Sequence, residues 1–395
     1  MPASPTARPR RRLVFALIAI AFLVGFLSAF ALWSKRQLLE TDSWTETSTE
    51  LLADDAIRTA VGGYLVDTLF SEVDVQAELE EALPPQAAPA AGPIAGAIRR
   101  LADDVALEAL QRPRVQELWE GANETAHAAL LRIVEEGGDG EVTLDLGDIV
   151  DELGQRVGIA EVSSRLPEGA AEIVILETDQ LEAASSGVDL LETLAWALLA
   201  LALVLFAIAI YLAAGWRREA LRSVGVAFVA VGIAVLVARQ VAGNYIVDQL
   251  ATTSAVEPAT EATWTIGTSL LTEIGSASIF YGVVIVIGAW LAGPSGAGRA
   301  VRRELAPVLA RRGTAYAALA IVVLLLFAWS PTPGFERLPV SILLIVLLVV
   351  GVEALRRQAL NDFPEQTWDT GVRRWKDAAR SVAGRGGPHG PAPPP

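Results

Sequence analysis

A chain of 395 residues with 52% hydrophobic residues and a mean hydropathy of +0.43 is too apolar for an ordinary soluble protein and falls in the membrane class. With no cysteine and only two histidines, His127 and His389, the sequence rules out disulfides and thiolate chemistry and argues against any metal centre or histidine relay; no cofactor and no nucleic-acid partner is expected. The formal charge of −15 hides an uneven distribution that sets the topology.

In chain order, residues 1–12 form a basic N-terminus containing "RPRRR", and 13–33 is an apolar run long enough to cross a bilayer. A basic segment, an apolar run and "SAFA" at 28–31 also fit a signal peptide, whose cleavage would leave five spans and the same topology downstream. The length of the run and its unbroken continuation into "LWSKRQLLE" favour a retained span.

Residues 34–189 hold 33 Asp and Glu against 10 Lys and Arg, a net charge near −23. The stretch "SWTETSTELLADDAIRTAVGGYLVDTLF" opens with capping-type residues and then places Ile57, Val61 and Leu65 at helical spacing. "AELEEAL", "AGAIRRLADDVALEALQ" and "RVQELWEGANETAHAALLRIVEE" read as further helices. "EVTLDL" and "AEIVILE" predict two short strands with a helix near 148–157 between them. "DQLEAASSGVDLLETLAWALLALALVL" predicts a stalk helix running straight into the next span. Asp139, Glu141, Asp145 and Asp148 have the wrong spacing for a calcium loop and read as a solvated acidic turn. His127 reads as a solvated or half-buried helix residue.

Two phrases are nearly alike: "VGGYLVDTL" at 61–69 and "AGNYIVDQL" at 242–250, identical at five of nine positions. They pair Tyr64 with Tyr245 and Asp67 with Asp248. Two readings stand: amphipathic helices under a common packing demand, or matched elements that dock the external domain onto the membrane core.

Residues 190–354 are read as a five-helix membrane core with spans at 194–214, 223–238, 274–291, 314–329 and 339–352, the second and the last two being short. The loops "GWRREALRS" and "RAVRRELAPVLARR" are basic, whereas 241–273 has no Lys or Arg, so both termini are expected in the cytoplasm and 34–189 outside. The span centres carry no charge. Glu192, Arg239 and Glu273 fall near the outer interface and form a candidate ion cluster. Ala230, Ala234 and Ala238 form a candidate small-residue seam. Residues 355–383 predict a cytoplasmic amphipathic helix: Trp368 and Trp375 share its apolar face, and Arg373, Arg374 and Lys376 border or oppose it, as on an anionic inner leaflet. The Gly/Pro-rich end, 384–395, reads as disordered.

The phrases "RTAVGGYLVDTLF", "VTLDLGDIV", "LETDQLEAASSGVDLLETLAW", "GWRREALRSVG" and "AWLAGPSGAGRAVRRELAP" resemble those of a group of uncharacterised polytopic integral membrane proteins of actinobacteria. That resemblance implies no activity. The layout, one span, an external domain, then five spans, is loosely similar to one half of a resistance-nodulation-division or mycobacterial lipid exporter, but the mid-membrane carboxylates of those pumps are missing here. The expectation is therefore an α-helical polytopic protein of the plasma membrane. It has six transmembrane helices and a mostly helical α+β extracytoplasmic domain between the first and second. Its expected role is non-enzymatic: an envelope scaffold, sensor or interaction protein that meets lipids and an envelope protein or cell-wall component. A transporter, or transporter subunit, for a hydrophobic or lipid-like solute is the alternative.

Overall fold

A computed structural model describes residues 7–72, 74–84, 86–136, 142–145, 172–176, 178–251, 253–254, 256–329 and 338–363. Among them the fold is α-helical. The helices in order are α1 (Ala7–Leu39), α2 (Thr41–Ala53), α3 (Asp55–Glu72), α4 (Val75–Ala82), α5 (Ala91–Gln111), α6 (Pro113–Glu136), α7 (Thr178–Leu212), α8 (Arg217–Leu250), α9 (Glu257–Gly267), α10 (Ser269–Leu291), α11 (Gly296–Ala310), α12 (Arg312–Trp329) and α13 (Leu338–Asp362). The strands β1 (Val142–Asp145) and β2 (Glu172–Leu176) pair antiparallel, with Leu144 opposite Ile173. These two strands fall within the predicted "EVTLDL" and "AEIVILE"; apart from this one pair the described residues form helices and their connections, so an α+β domain is reduced to a helical fold with a single two-stranded ribbon. The helix expected at 148–157, three of the four acidic-turn residues and everything after residue 363, including Trp368, Arg373, Arg374, Trp375 and Lys376, lie outside the described residues.

Among the described residues four helices are long and apolar enough to cross a membrane: α1, α7, α8 and α10. A fifth is added if α11 and α12, bent by 111° at Arg311, are taken as one broken span. The described residues thus support four to five spans where the sequence reading expects six. At 1.5 Å per residue the apolar stretch 339–352 covers about 21 Å of a hydrocarbon core of about 30 Å. The rest of α13 carries Glu353, Arg356, Arg357 and Asp362, so 355–362 continues this helix and does not begin a separate one.

The contacts divide the chain into two compact units, one made of 1–23, 201–234 and 273–395, the other of 24–200 and 235–272. In the first, Val14, Ile18 and Ala21 of α1 meet Phe206 and Ala209 of α7, Ala213 just after it, and Ala220, Val224 and Ala227 of α8 in one apolar cluster. The turn from α7 to α8 takes four residues because Gly215 adopts φ +92°, a left-handed conformation that a side chain would oppose. Helices α8 and α10 cross antiparallel through paired glycines. A Cβ on Gly232 would lie 2.3 Å from the Gly275 carbonyl, and one on Gly282 would lie 2.7 Å from the Gly225 carbonyl. Both helices place these residues seven apart, so the glycines recur on one face and the backbones touch. The seam of α8 is therefore Gly225/Gly232. Ala230, Ala234 and Ala238 are only half-buried and lie roughly opposite it at 100° per residue.

In the second unit, the long helix expected from 43 to 70 breaks at Asp54. Asp54 closes α2 with its backbone N–H on the Leu51 carbonyl (3.3 Å) and opens α3 by accepting from the Ala56 and Ile57 amides at 2.9 and 3.1 Å. An Asp side chain that satisfies two orphan amides at once outcompetes helix continuation. Buried Arg58 then donates to the α2 carbonyls of Leu52 (3.0 Å) and Ala53 and pairs with Asp55. Helix α6 lies along α2 and is held by two contacts. The Trp119 indole N–H donates to the Ser48 carbonyl at 2.8 Å, and the His127 ring stacks on Trp44 with centroids 5.2 Å apart and Nδ1 3.1 Å from Thr41 Oγ1. His127 is thus buried, where a solvated or half-buried side chain was expected. Helix α5 packs on α3, with Gly62 facing Ala106 and Leu110, and α9 packs on α3 and α2.

Gly232→Ala drives a methyl group into a carbonyl, so it is expected to destabilise the first unit by about 1–3 kcal/mol. Gly288→Ala, with no atom within 4 Å of its Cβ, is expected to be neutral or slightly stabilising. Thermal unfolding of the two purified variants in detergent checks the difference. A second expectation concerns pH. Burial lowers the His127 pKa below its ordinary 6.5, opposed by a backbone hydrogen bond to Leu38. The unfolded chain therefore binds the proton more readily. The stability contributed by the neutral ring is full above that ordinary value and is lost as pH falls from it toward the lowered folded value. The unfolding midpoint should drop on acidification through this window, and His127→Gln should flatten the drop.

Candidate functional site

Of the cavities in the second unit, one gathers residues that the sequence singles out. It is a pocket of about 260 Å³ between the last third of α8 and helix α9, lined by Arg239, Gly243, Asp248, Glu257, Glu261 and Trp264, with Gln240, Asn244, Val247 and Thr265 completing it. The second copy of the repeated phrase therefore supplies one wall.

Helix α9 is positioned by its end. The carbonyls of its last turn lack intrahelical partners. Arg239 reaches across from α8, Nε donating to Thr268 Oγ1 at 2.7 Å and a terminal nitrogen to the Thr265 carbonyl at 3.3 Å. Thr268, buried, passes its own hydroxyl proton to the Trp264 carbonyl at 2.5 Å, and the Trp33 indole donates to the Gly267 carbonyl at 3.0 Å. A cation at a helix C-terminus also opposes the helix dipole favourably. Gly243 makes room for the aromatic wall: a Cβ there would lie 2.3 Å from the Trp264 indole nitrogen.

The electrostatics are simple. The lining holds three carboxylates, Asp248, Glu257 and Glu261, and one guanidinium, with the amides of Gln240 and Asn244 bonded to each other at 2.9 Å. Among the described residues no group of three His, Asp or Glu side chains is placed to hold a metal ion. What this arrangement can do chemically is recognise: an acidic rim over an indole wall suits a hydrogen-bond donor or a cationic group.

Glu192 and Arg239, expected at one level, look to different partners. Glu192 lies 3.8 Å from Lys35 Nζ, which also holds Glu40 at 3.2 Å and sits 6.0 Å from the Trp196 ring. Glu273 is the fifth residue of α10 and belongs to the other compact unit. Lys35 was missed in the sequence reading. The available signal was its rarity, since the chain has only two lysines and this one follows directly on the first span.

The repeated phrase uses its glycines, and not its tyrosines, for packing. Tyr64 is 71% exposed and Tyr245 68% exposed, whereas Gly62 faces α5 and Gly243 faces Trp264. Asp67 pairs with Arg99 at the surface, and Asp248 lines the pocket. The two copies share a packing demand, met by different neighbours. Compared with protein-family profiles, with curated proteins and with solved structures, the chain matches none.

Arg239→Met removes the cap and leaves the Thr265 carbonyl without its donor, an effect of about 1–3 kcal/mol for a charged hydrogen bond. Hydrogen exchange should rise selectively over residues 262–269 while α2 and α6 keep their protection.

Proposed function

We propose that this chain is a non-enzymatic multi-pass protein of the plasma membrane whose helical external region docks an envelope protein or a cell-wall component. The observation that carries the reading is an apolar stripe on α5. Ile94, Ile98, Leu101 and Val105 recur at 4-, 3- and 4-residue intervals, an arc of about 60°, and are exposed from 37% at Ile94 to 62% at Leu101. A helix whose other face already packs on α3, with Ala106 and Leu110 against Gly62, has no internal need for a second apolar face. Such a stripe on a water-facing helix marks an interaction surface.

The topology that goes with this reading has six passes, with α12 and α13 as the short last two. An even number keeps both basic ends on the side of the basic loops, which the positive-inside rule makes cytoplasmic.

The alternative, a transporter for a hydrophobic or lipid-like solute, has the pocket at Arg239 in its favour. Against it stands the glycine crossing of α8 and α10, which leaves no room for a solute between those two helices.

A photo-crosslinking residue at Leu101 in the intact membrane is expected to yield a discrete adduct that the same probe at exposed Glu81 does not. Leu101→Glu with Val105→Glu should abolish the partner's co-purification without lowering the unfolding temperature. Solute flux through vesicles containing the purified chain, with no adduct at Leu101, would overturn the docking reading in favour of transport.

A further inference from the structure

In the first unit a larger cleft, of about 690 Å³, opens between the start of α8, the α10–α11 loop and the end of α13. Four arginines line it: Arg218, Arg299, Arg302 and Arg357. Among the described residues the one acidic group in the lining is Asp362, and it is already engaged. Its Oδ2 accepts from Arg302 Nε at 3.1 Å and from a terminal Arg302 nitrogen at 2.9 Å.

Several backbone acceptors beside the cleft also have internal donors. The other terminal nitrogen of Arg302 donates to the carbonyls of Leu291 and Gly293, the latter at 2.8 Å, and Gln358 donates to the Ala292 carbonyl at 2.9 Å. Each carbonyl from 291 to 293 that would offer a lone pair to the cleft thus has an internal donor. Arg302 is 2% exposed and acts as a positioning residue that holds the loop. Arg357 shares Glu353 with Arg356. Arg218 and Arg299 are exposed and have no carboxylate partner among the described residues.

A cleft with four guanidinium groups, two of them without a carboxylate partner among the described residues, and one acidic group already paired is suited to an anion. The planar fork of a guanidinium matches the oxygen spacing of phosphate. The volume exceeds what a bare inorganic ion needs and falls in the range of pockets that take a small organic group. The basic loops that form it are those the positive-inside rule assigns to the cytoplasmic side, where anionic headgroups are concentrated and basic pockets between membrane helices take them up.

We propose that this cleft binds a phosphate group presented by an anionic phospholipid headgroup or by a soluble phosphate ester, with Arg218 and Arg299 as the contacting residues. The site is independent of the docking reading, because it rests on other residues and another ligand.

The test uses the full-length chain in neutral detergent, with binding followed by native mass spectrometry. The probes are dioleoylphosphatidylglycerol, dioleoylphosphatidylcholine and glycerol 3-phosphate. Phosphatidylglycerol is expected to bind more tightly than the zwitterionic lipid. The variant Arg218→Gln/Arg299→Gln should weaken it roughly tenfold or more. Arg222→Gln/Arg311→Gln, which removes equal charge from exposed positions outside the cleft, should leave binding unchanged. Glycerol 3-phosphate binding with the same sensitivity to the cleft variant would assign the soluble source, and binding of the lipid alone would assign the headgroup. Equal losses in both variant pairs, or no loss in either, overturns the site. Should the Gln pair fail to elute as a monodisperse protein, Arg218→Lys/Arg299→Lys is read in its place. It keeps charge and loses the fork, so it should weaken binding where Arg222→Lys/Arg311→Lys does not, and equal behaviour of the two overturns the site.

Discussion

The last carbonyls of a helix have no partner inside it, and away from water each must find a donor or destabilise the structure. This chain breaks its helices sharply in several places and meets that demand the same way three times. Arg58 donates to the end of α2, Arg239 to the end of α9 and Arg302 to the end of α10 and its following loop. One guanidinium serves two carbonyls, or a carbonyl and a hydroxyl, while its charge complements the helix dipole. A lysine, with a single nitrogen on a flexible stem, would hold these breaks less well. The sequence has only two lysines among its 31 basic residues, and the structure gives this bias a use.

These caps define the surfaces that matter. The cap at Arg239 fixes α9 against α8 and so shapes the acidic pocket, with Gly243 leaving space for Trp264. Arg302 and Gln358 fasten the α10–α11 loop that forms one wall of the basic cleft. The pockets thus have opposite character, carboxylates around an indole in one and guanidinium groups in the other. Residues 34–189 hold a net charge near −23 in a chain whose total is −15, so the remainder is basic, and the acidic pocket at 239–265 is a local exception within it.

The glycine pairs of α8 and α10 act by a different principle. Helices in lipid gain little from burying apolar side chains against each other, so close backbone approach supplies the packing. Gly225 with Gly282 and Gly232 with Gly275 bring the backbones into contact. A crossing that tight is a structural joint.

Much of this was legible in the chain. The apolar runs of α1, α7, α8 and α10 announce membrane-length helices because composition and length suffice for that property. The region between α1 and α7 reads as largely helical from its spacing, although its break at Asp54 does not, because a single capping side chain decides it locally. Other features belong only to the tertiary structure. The seam of α8 was read at Ala230, Ala234 and Ala238, yet the partner helix selects Gly225 and Gly232, since only glycine admits a facing carbonyl. Tyr64 and Tyr245 looked like the business end of a repeated phrase, and both face outward while the glycines pack. Arg239 was visible as a charge near a span end, but its role as a cap depends on where α9 stops. Sequence periodicity determines which residues share a face; which face meets another backbone, and which donors reach a helix end, depends on neighbours distant in the chain.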